Sequence, residues 1–162
     1  MKILLICLVM LAEFAAAQEK LTTVILVRHA EKENDGSNNP ELSEAGKKRA
    51  LLLVDMFSKT KIDAIYSTNF KRTEATVAPL ASQHSLPITH YDGAKPAEVD
   101  EMISKWKGGT ILICGHSNTT PAIINRLIGK EEYKTFDDGD YSNLIILTFA
   151  SVGDAKITWL RY

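Results

Sequence analysis

Two uninterrupted apolar segments constrain the fold of this chain more than any other feature of its sequence. Residues 22–27 and 110–114 are rich in β-branched side chains, and neither shows alternating polar positions. This pattern is typical of strands covered on both faces, as in a parallel sheet with helices on each side. We therefore predict a central sheet in which both segments are interior strands.

Helix signals alternate with strand signals along the rest of the chain. Ser43 is predicted to cap a helix whose core face consists of Leu51, Leu52, Val54 and Phe57. Asn69 is predicted to cap a second helix that runs to 81, and further helices are predicted from Pro96 to 106 and over 120–128. Other strands are predicted over 63–66, at the sheet edge over 86–89, and over 144–149 and 155–160. The alternation predicts an α/β fold, a three-layer sandwich with a mostly parallel central sheet, helices on both faces and a C-terminal antiparallel hairpin.

The first seventeen residues have the pattern of an export signal. Lys2 precedes the apolar stretch 3–11, and the small residues 15–17 form a cleavage site. About ten apolar residues interrupted by Glu13 are too few to span a bilayer, which takes roughly 20. The pattern predicts a signal peptide over 1–17 and a single domain over 18–162. We expect that domain in the periplasm or outside the cell, with no membrane attachment once the leader is removed.

Charge and cysteine content exclude some kinds of partner and stabilisation. The formal net charge is −1, from 19 basic and 20 acidic side chains, which gives no overall field to attract nucleic acid. Loss of the leader removes Cys7 and leaves Cys114 as the one remaining cysteine, so no internal disulfide is expected. Because Cys114 lies in an apolar segment, we predict a small buried hydrophobe rather than a nucleophile.

Polar side chains follow the two interior strands where each strand ends. Arg28 and His29 follow the first, and His116 comes two residues after the second. Loops at the carboxyl ends of parallel strands converge over one crevice, so the two histidines are predicted to meet there. Arg72 lies in the first turn of the helix after strand 63–66, and we expect it to join them if that strand neighbours the first. Two guanidinium groups beside two imidazoles predict a site for a doubly charged oxyanion.

Four segments at these junctions resemble the histidine phosphatase superfamily, also called phosphoglycerate mutase-like. They are VRHAE at 27–31, LSEAG at 42–46, YSTNFKRTEAT at 66–76 and GHSN at 115–118. The resemblance implies that His29 attacks phosphorus to give a phosphohistidine that water then hydrolyses, with no metal or other cofactor. It also implies that Arg28, Arg72 and His116 hold the phosphoryl oxygens. Asn118, beside the start of the following helix, is predicted to donate a further hydrogen bond to the phosphate.

The proton donor for the leaving group is left open by the sequence. Asp92, just after the predicted edge strand, is one candidate, Glu31 beside the nucleophile is a second, and Glu98 is a weaker third. The family pattern more often has glycine where this chain has Ala30, and glutamate where it has Asp92. The substrate class therefore stays open along with the acid.

The resulting prediction is an exported phosphatase that acts on a phosphorylated small molecule or a phosphoprotein. One alternative is a non-catalytic module that binds phosphate or another anion, and another is a phosphoglycerate mutase-like phosphotransferase, which the short chain disfavours. A zinc site built from His29, Glu31, Asp92 and His116 is a third interpretation. We do not favour it, because the two arginines would repel a dication.

Overall fold

The structure is a computed structural model that describes residues 19–162. It contains six strands and four helices within that range: β1 Thr22–Arg28, α1 Glu44–Phe57, β2 Ala64–Ser67, α2 Lys71–His84, β3 Ile88–His90, α3 Pro96–Lys105, β4 Thr110–Gly115, α4 Thr119–Ile128, β5 Asn143–Phe149 and β6 Lys156–Arg161. The predicted signal peptide lies outside the described residues. None of the helices described is long and apolar enough to cross a membrane.

All six strands form one sheet in the order β3-β2-β4-β1-β5-β6. The pairs β1–β4, β2–β4 and β2–β3 are parallel, and β5 and β6 are added antiparallel, which confirms the predicted fold class and hairpin. The predicted edge position of β3 is also confirmed. The condition on which Arg72 was expected to join the site is not met directly, because β4 lies between β2 and β1. The carboxyl ends of β1, β2 and β4 still lie side by side.

Helices cover both faces of the sheet and bury its central strands except at Thr23 and Thr110, which are partly buried. One apolar layer joins α1 and α2 to one face through Leu53, Phe57, Val77 and Leu80, and it includes Cys114, which is buried as predicted. A second layer joins α3 and α4 to the other face through the buried side chains Val99, Met102, Ile103, Ile123, Ile124 and Leu127. Burial on both sides explains why β1 and β4 lack alternating polar residues.

The helix boundaries confirm some of the expected caps and correct others. Ser43 caps α1, and its hydroxyl accepts a hydrogen bond from the Gly46 N–H. The predicted core face of α1 is partly wrong, because Leu51 and Leu52 are 56% and 45% exposed. Phe57 is buried as predicted, and the other buried positions of α1 are Gly46, Ala50 and Leu53. Asn69 does not cap α2 either, since the cap position is Phe70, which makes no side-chain capping bond.

Candidate active site

The two histidines at the strand ends lie over one edge of the sheet. Strands β1 and β4 pair in register, with Arg28 opposite Gly115, and the His29 N–H donates to the Gly115 carbonyl at 2.9 Å. The ring centroids of His29 and His116 are 5.4 Å apart, with the planes inclined at 64°. The convergence predicted from the strand ends is therefore observed. Gly115 permits it, because a Cβ atom there would lie 2.7 Å from the Thr119 hydroxyl oxygen.

The His29 ring is oriented so that one nitrogen keeps its lone pair. Nδ1–H donates to the main-chain oxygen of Ala30 at 2.8 Å, which leaves Nε2 as the unprotonated nitrogen of the neutral ring. The side chain is 3% exposed. Burial lowers the pKa of His29 to about 3, and the charges of Arg28, His116 and Arg72 act in the same direction against the Ala30 hydrogen bond. The ring is thus neutral across the physiological pH range, with the lone pair on Nε2.

Helices α1 and α2 hold the turn that follows His29. The Ala30 N–H donates to the Thr76 hydroxyl at 2.9 Å, and that hydroxyl donates to the Arg72 carbonyl at 2.7 Å. On the other side, the Ser43 N–H donates to the main-chain oxygen of Glu31 at 2.9 Å. A Cβ atom at Gly46 would overlap this same oxygen, which explains the glycine in the LSEAG segment.

A chain of hydroxyl groups orients His116. Its Nε2 lies 2.8 Å from the Thr68 hydroxyl, which is 3.0 Å from the Thr73 hydroxyl. The Thr73 hydroxyl donates its one proton to the carbonyl oxygens of Thr68 and Phe70, at 2.8 and 2.9 Å. Because Thr73 has no other hydroxyl proton, the Thr68 hydroxyl donates to the Thr73 hydroxyl. The Nε2–H of His116 then donates to Thr68, and Nδ1 is the nitrogen left for a ligand. Burial, Arg72 and Arg28 lower the pKa of His116 to about 4.

Arg28 is fixed by the loop that precedes β5. Its Nη1 donates to the main-chain oxygens of Asp137 at 2.7 Å and Asp140 at 3.1 Å, and Nη2 lies 3.4 Å from the Asp138 carboxylate. The guanidinium carbon is 4.4 Å from the centre of the Tyr141 ring. These contacts hold a side chain that is only 2% exposed.

The second guanidinium, Arg72, comes from the first turn of α2 as predicted. It lies 4.5 Å from the centre of the Phe70 ring, and burial and Arg28 lower its pKa. Within residues 19–162, Nε of Arg28 and Nε and Nη1 of Arg72 are buried and have no hydrogen-bond acceptor. Buried cationic donors without acceptors are costly, and an oxyanion would satisfy them. This geometry therefore fits a bound phosphoryl group.

The three carboxyl groups considered as proton donors lie in different places. Glu31 does not line the cavities beside His29 and His116, and it receives hydrogen bonds from Arg49 Nε at 2.9 Å and Nη2 at 2.7 Å. These bonds from Arg49 hold the pKa of Glu31 below its usual range. Asp92 and Glu98 line a cavity beside His116. The Ala94 N–H and Lys95 lower the pKa of Asp92, and Glu98 accepts from the Asp92 N–H at 2.7 Å.

Two adjoining cavities form the site. The first, which we call the phosphate cavity, has a volume of about 540 Å³ and is lined by Arg28, His29, Lys32, Arg72, His116, Ser117, Asn118, Asp138 and Tyr141. The second, the leaving-group cavity, has a volume of about 560 Å³ and shares Arg72, His116 and Asn118 with the first. Its other lining residues include Phe70, Tyr91, Asp92 and Glu98. Asn118 is thus placed between the two cavities, with an exposed side chain.

The structure does not gather the residues of the zinc interpretation into one set. Glu31 is paired with Arg49, whereas Asp92 lines the leaving-group cavity and not the phosphate cavity. Over residues 19–162, no group of three or more His, Cys, Asp or Glu side chains is arranged as metal ligands. Side chains of the site that the sequence did not indicate are Thr68, Tyr141, Asp138 and the positioning partner Arg49. Thr68 lies within the motif at 66–76 but has no role that the motif implies, and no motif includes Tyr141, Asp138 or Arg49.

Comparison with known proteins places part of the chain in a known family. Residues 24–95 match the model of the histidine phosphatase superfamily (branch 1). Phosphoserine phosphatase 1 of Hydrogenobacter thermophilus is 37% identical over 94 residues, which span 54% of this chain but only 43% of that relative. The resemblance predicted from the four motifs is therefore confirmed.

Solved structures with low sequence identity share the fold. The protein histidine phosphatase SixA complexed with tungstate superimposes with a TM-score of 0.69 at 16% identity, over 86% of this chain and 96% of that one. The mycobacterial glucosyl-3-phosphoglycerate phosphatase gives 0.68 at 13% identity, over 88% and 98%. A phosphoserine phosphatase mutant from Entamoeba histolytica in complex with phosphoserine gives 0.66 at 16% identity, over 85% and 95%.

Proposed function

We propose that this protein of the histidine phosphatase superfamily hydrolyses a phosphomonoester through a phosphohistidine intermediate on His29. The observation that carries the proposal is the pairing of an unprotonated Nε2 on a buried, neutral His29 with buried guanidinium N–H groups that have no acceptor. A nucleophile and an anion site at the same strand edge suit in-line phosphoryl transfer. Phosphatases among the relatives support the same reaction class.

In the first step, the lone pair on Nε2 of His29 forms a bond to phosphorus while the bond from phosphorus to the leaving oxygen breaks. Arg28 and Arg72 hold the equatorial oxygens and stabilise the charge that spreads over them. His116 donates a hydrogen bond to the phosphoryl group through Nδ1, because the charge of the bound phosphoryl group raises the pKa of His116 and favours the protonated ring. The Nδ1–H bond to Ala30 stabilises the positive charge that develops on the His29 ring.

In the second step, a water molecule attacks phosphorus and gives one proton to the carboxylate that protonated the leaving oxygen, the bond between phosphorus and Nε2 breaks, and inorganic phosphate leaves. As the leaving oxygen departs in the first step, it takes up one proton. We assign that proton to Asp92, with Glu98 as its competitor, because both line the leaving-group cavity. A bound phosphoryl group opposes the effect of Lys95 and raises the pKa of Asp92, which makes the carboxyl a better acid. Asn118, between the cavities, donates to the phosphoryl group.

Activity on p-nitrophenyl phosphate and on an alkyl phosphate, compared between wild type and His29→Ala, tests the proposal. We expect His29→Ala to abolish turnover of both esters, vanadate to inhibit the wild type and EDTA to have no effect. Equal phosphate release by both proteins would refute the assignment of the nucleophile. The two esters also test the acid: Asp92→Asn should lose activity mainly on the alkyl phosphate, whose leaving group needs the proton, and Glu98→Gln should not.

A second candidate function is a non-catalytic module that binds phosphate. The observation in its favour is the lowered pKa of Asp92, which leaves the leaving-group cavity with an ionised carboxyl when no ligand is bound. Calorimetry that shows phosphate binding without turnover of any phosphoester would support this function. Loss of binding on Arg72→Ala would then identify the same pocket.

We further propose that the natural substrate is a phosphorylated small molecule or phosphoprotein encountered after export. The leader pattern over residues 1–17 supports export. The similar proteins include a phosphoserine phosphatase and a protein histidine phosphatase, so both a small-molecule substrate and a phosphoprotein substrate are consistent with them. Mass spectrometry of the protein recovered from its native host tests the leader. A mature chain that begins at Gln18 is the expected result, and an intact N-terminus would contradict it.

A further inference from the structure

A third cavity continues the site beyond the leaving-group cavity. This outer cavity has a volume of about 570 Å³ and shares Gly93 and Asn118 with the leaving-group cavity. The three cavities therefore follow one another from His29, past Asn118, to the beginnings of α3 and α4. A compact metabolite attached to the phosphoryl group would fill the leaving-group cavity and leave the outer cavity empty.

The wall of the outer cavity mixes apolar and hydrogen-bonding surface. Pro96, Ala122 and Tyr133 present apolar groups, and Asn118 and Thr135 present polar ones. A wall for an acyl chain would be apolar throughout, since each buried polar group without a partner costs free energy. A peptide suits the mixed wall better, because amide groups alternate with side chains along its length.

The far wall is held in place before any ligand binds. The buried Asn125 amide donates to the Glu131 carboxylate and to the Tyr133 carbonyl, both at 2.9 Å. Its oxygen accepts from the N–H groups of Glu132 at 3.1 Å and Tyr133 at 2.8 Å. The Tyr133 ring also packs 5.3 Å from the Trp159 ring. A fixed wall lowers the entropy cost of binding a flexible chain.

The charges around the outer cavity are nearly balanced. Arg126 is paired with Asp100, and Lys95, which lines neither cavity, is paired with Asp92 and Glu98 of the leaving-group cavity. Of the lining cations, Lys134 alone makes no ion pair within residues 19–162. A polynucleotide would need several free cations along its path. The balance excludes that ligand and suits a neutral or weakly acidic peptide.

We propose that the outer cavity binds the peptide that carries the phosphorylated side chain, so that the substrate is a phosphorylated segment of a protein. This inference rests on the proposed phosphatase function and specifies its substrate class. Binding energy from the outer cavity would raise kcat/KM for the peptide over the free phosphoamino acid.

The test compares free phosphoserine with phosphoserine peptides of increasing length. For the wild type we expect kcat/KM to rise about tenfold or more as the peptide grows long enough to reach the outer cavity. Ala122→Trp, an exposed site in the cavity wall, should remove that rise and leave hydrolysis of free phosphoserine within about twofold of wild type. Thr135→Trp should act in the same way from the opposite wall.

Ala97→Trp is the matched control, because Ala97 is exposed on α3 and lines none of the three cavities. It should leave the whole series unchanged. A flat length series, or equal losses in Ala97→Trp and Ala122→Trp, would overturn the proposal. Thermal unfolding of each variant confirms that it folds.

A binding measurement separates this inference from the function on which it rests. Fluorescence anisotropy of a labelled phosphoserine peptide with His29→Ala needs no turnover, and the added Ala122→Trp change should weaken binding about tenfold. If the wild type hydrolyses no phosphoester but this difference persists, the phosphatase proposal fails and the peptide site stands. If hydrolysis occurs without the difference, the peptide site is wrong and the phosphatase proposal stands.

Discussion

Replacing Glu31 by Gln separates two roles that a carboxyl group beside the nucleophile could have. Glu31 forms a bidentate ion pair with Arg49, at 2.9 Å to Nε and 2.7 Å to Nη2, and the two side chains are 24% and 20% exposed. Arg49 also donates to the Tyr162 carbonyl. We expect Glu31 to position α1 against the His29 turn rather than to transfer protons.

The magnitude follows from the burial and geometry of the pair. Hydrogen bonds to charged groups contribute about 1.5–3 kcal/mol, and exposed ion pairs contribute less than about 1 kcal/mol. Because the pair is mostly buried and Gln keeps one acceptor oxygen, Glu31→Gln should lower the free energy of unfolding by about 1.5 kcal/mol. For a chain of this size, that loss corresponds to a Tm lower by about 3–6 °C. Glu44→Gln, which breaks the exposed pair with Lys47, is the control and should show no measurable change.

The pH dependence of this difference has a definite sign. Since Arg49 lowers the pKa of Glu31 in the folded state, the stabilisation is fully present above the ordinary glutamate pKa. It is lost as the pH falls through the lower folded pKa. Wild type and Glu31→Gln should therefore differ in urea denaturation at pH 7 and converge in acid.

Kinetics give the result that would refute a positioning role. With positioning alone, Glu31→Gln should lower kcat by less than about fivefold, equally for p-nitrophenyl phosphate and an alkyl phosphate. A general acid contributes roughly 10²–10⁴-fold, mostly for a poor leaving group. A loss of that size on the alkyl phosphate, with p-nitrophenyl phosphate spared, would show that Glu31 is the proton donor.

Three further predictions concern the glycine of α1, the histidines and Thr68. Gly46→Ala should destabilise the fold by about 2–3 kcal/mol in urea denaturation, because its Cβ would overlap the Glu31 main-chain oxygen. Equal stability to Gly139→Ala, whose Cβ would make only an ordinary contact with the Asp137 carboxylate at 3.4 Å, would contradict this. In the folded state the pKa values of His29 and His116 are about 3 and about 4, against an ordinary 6.5. The free energy of unfolding should therefore fall below pH 6.5 by about 1.4 kcal/mol per pH unit for each ring. A free energy of unfolding that does not change between pH 6 and 4 would count against buried neutral rings. Thr68→Val should lower kcat/KM about tenfold by removing the acceptor of His116 Nε2–H, with Thr68→Ser close to wild type.

The fold and the centre of the site follow from local sequence because their causes are local. The unbroken apolar composition of residues 22–27 and 110–114 predicts interior strands. The carboxyl ends of parallel strands lie at the same edge of the sheet. Arg28, His29 and His116 could therefore be placed together without knowing that β4 lies beside β1. The neighbour of β2 could not be predicted in the same way, because strand order depends on how the crossover helices pack.

Other features depend on contacts between distant segments. Arg28 is held by carbonyls about 110 residues away in a loop without a motif, and Arg49 reaches Glu31 only because Gly46 brings α1 against the His29 turn. The burial of α1 shows a related difficulty. Residues 51–54 are all apolar, and only the orientation of the helix on the sheet determines that Leu53 is buried while Leu51 and Leu52 are exposed.

Trapping the phosphorylated enzyme tests the central claim most directly. Wild-type protein is mixed with excess p-nitrophenyl phosphate, quenched in alkaline denaturant and mapped by mass spectrometry. We expect one acid-labile phosphoryl group on His29, absent from His29→Ala. Turnover with no phosphoenzyme, or a phosphoryl group on a different residue, would contradict the account.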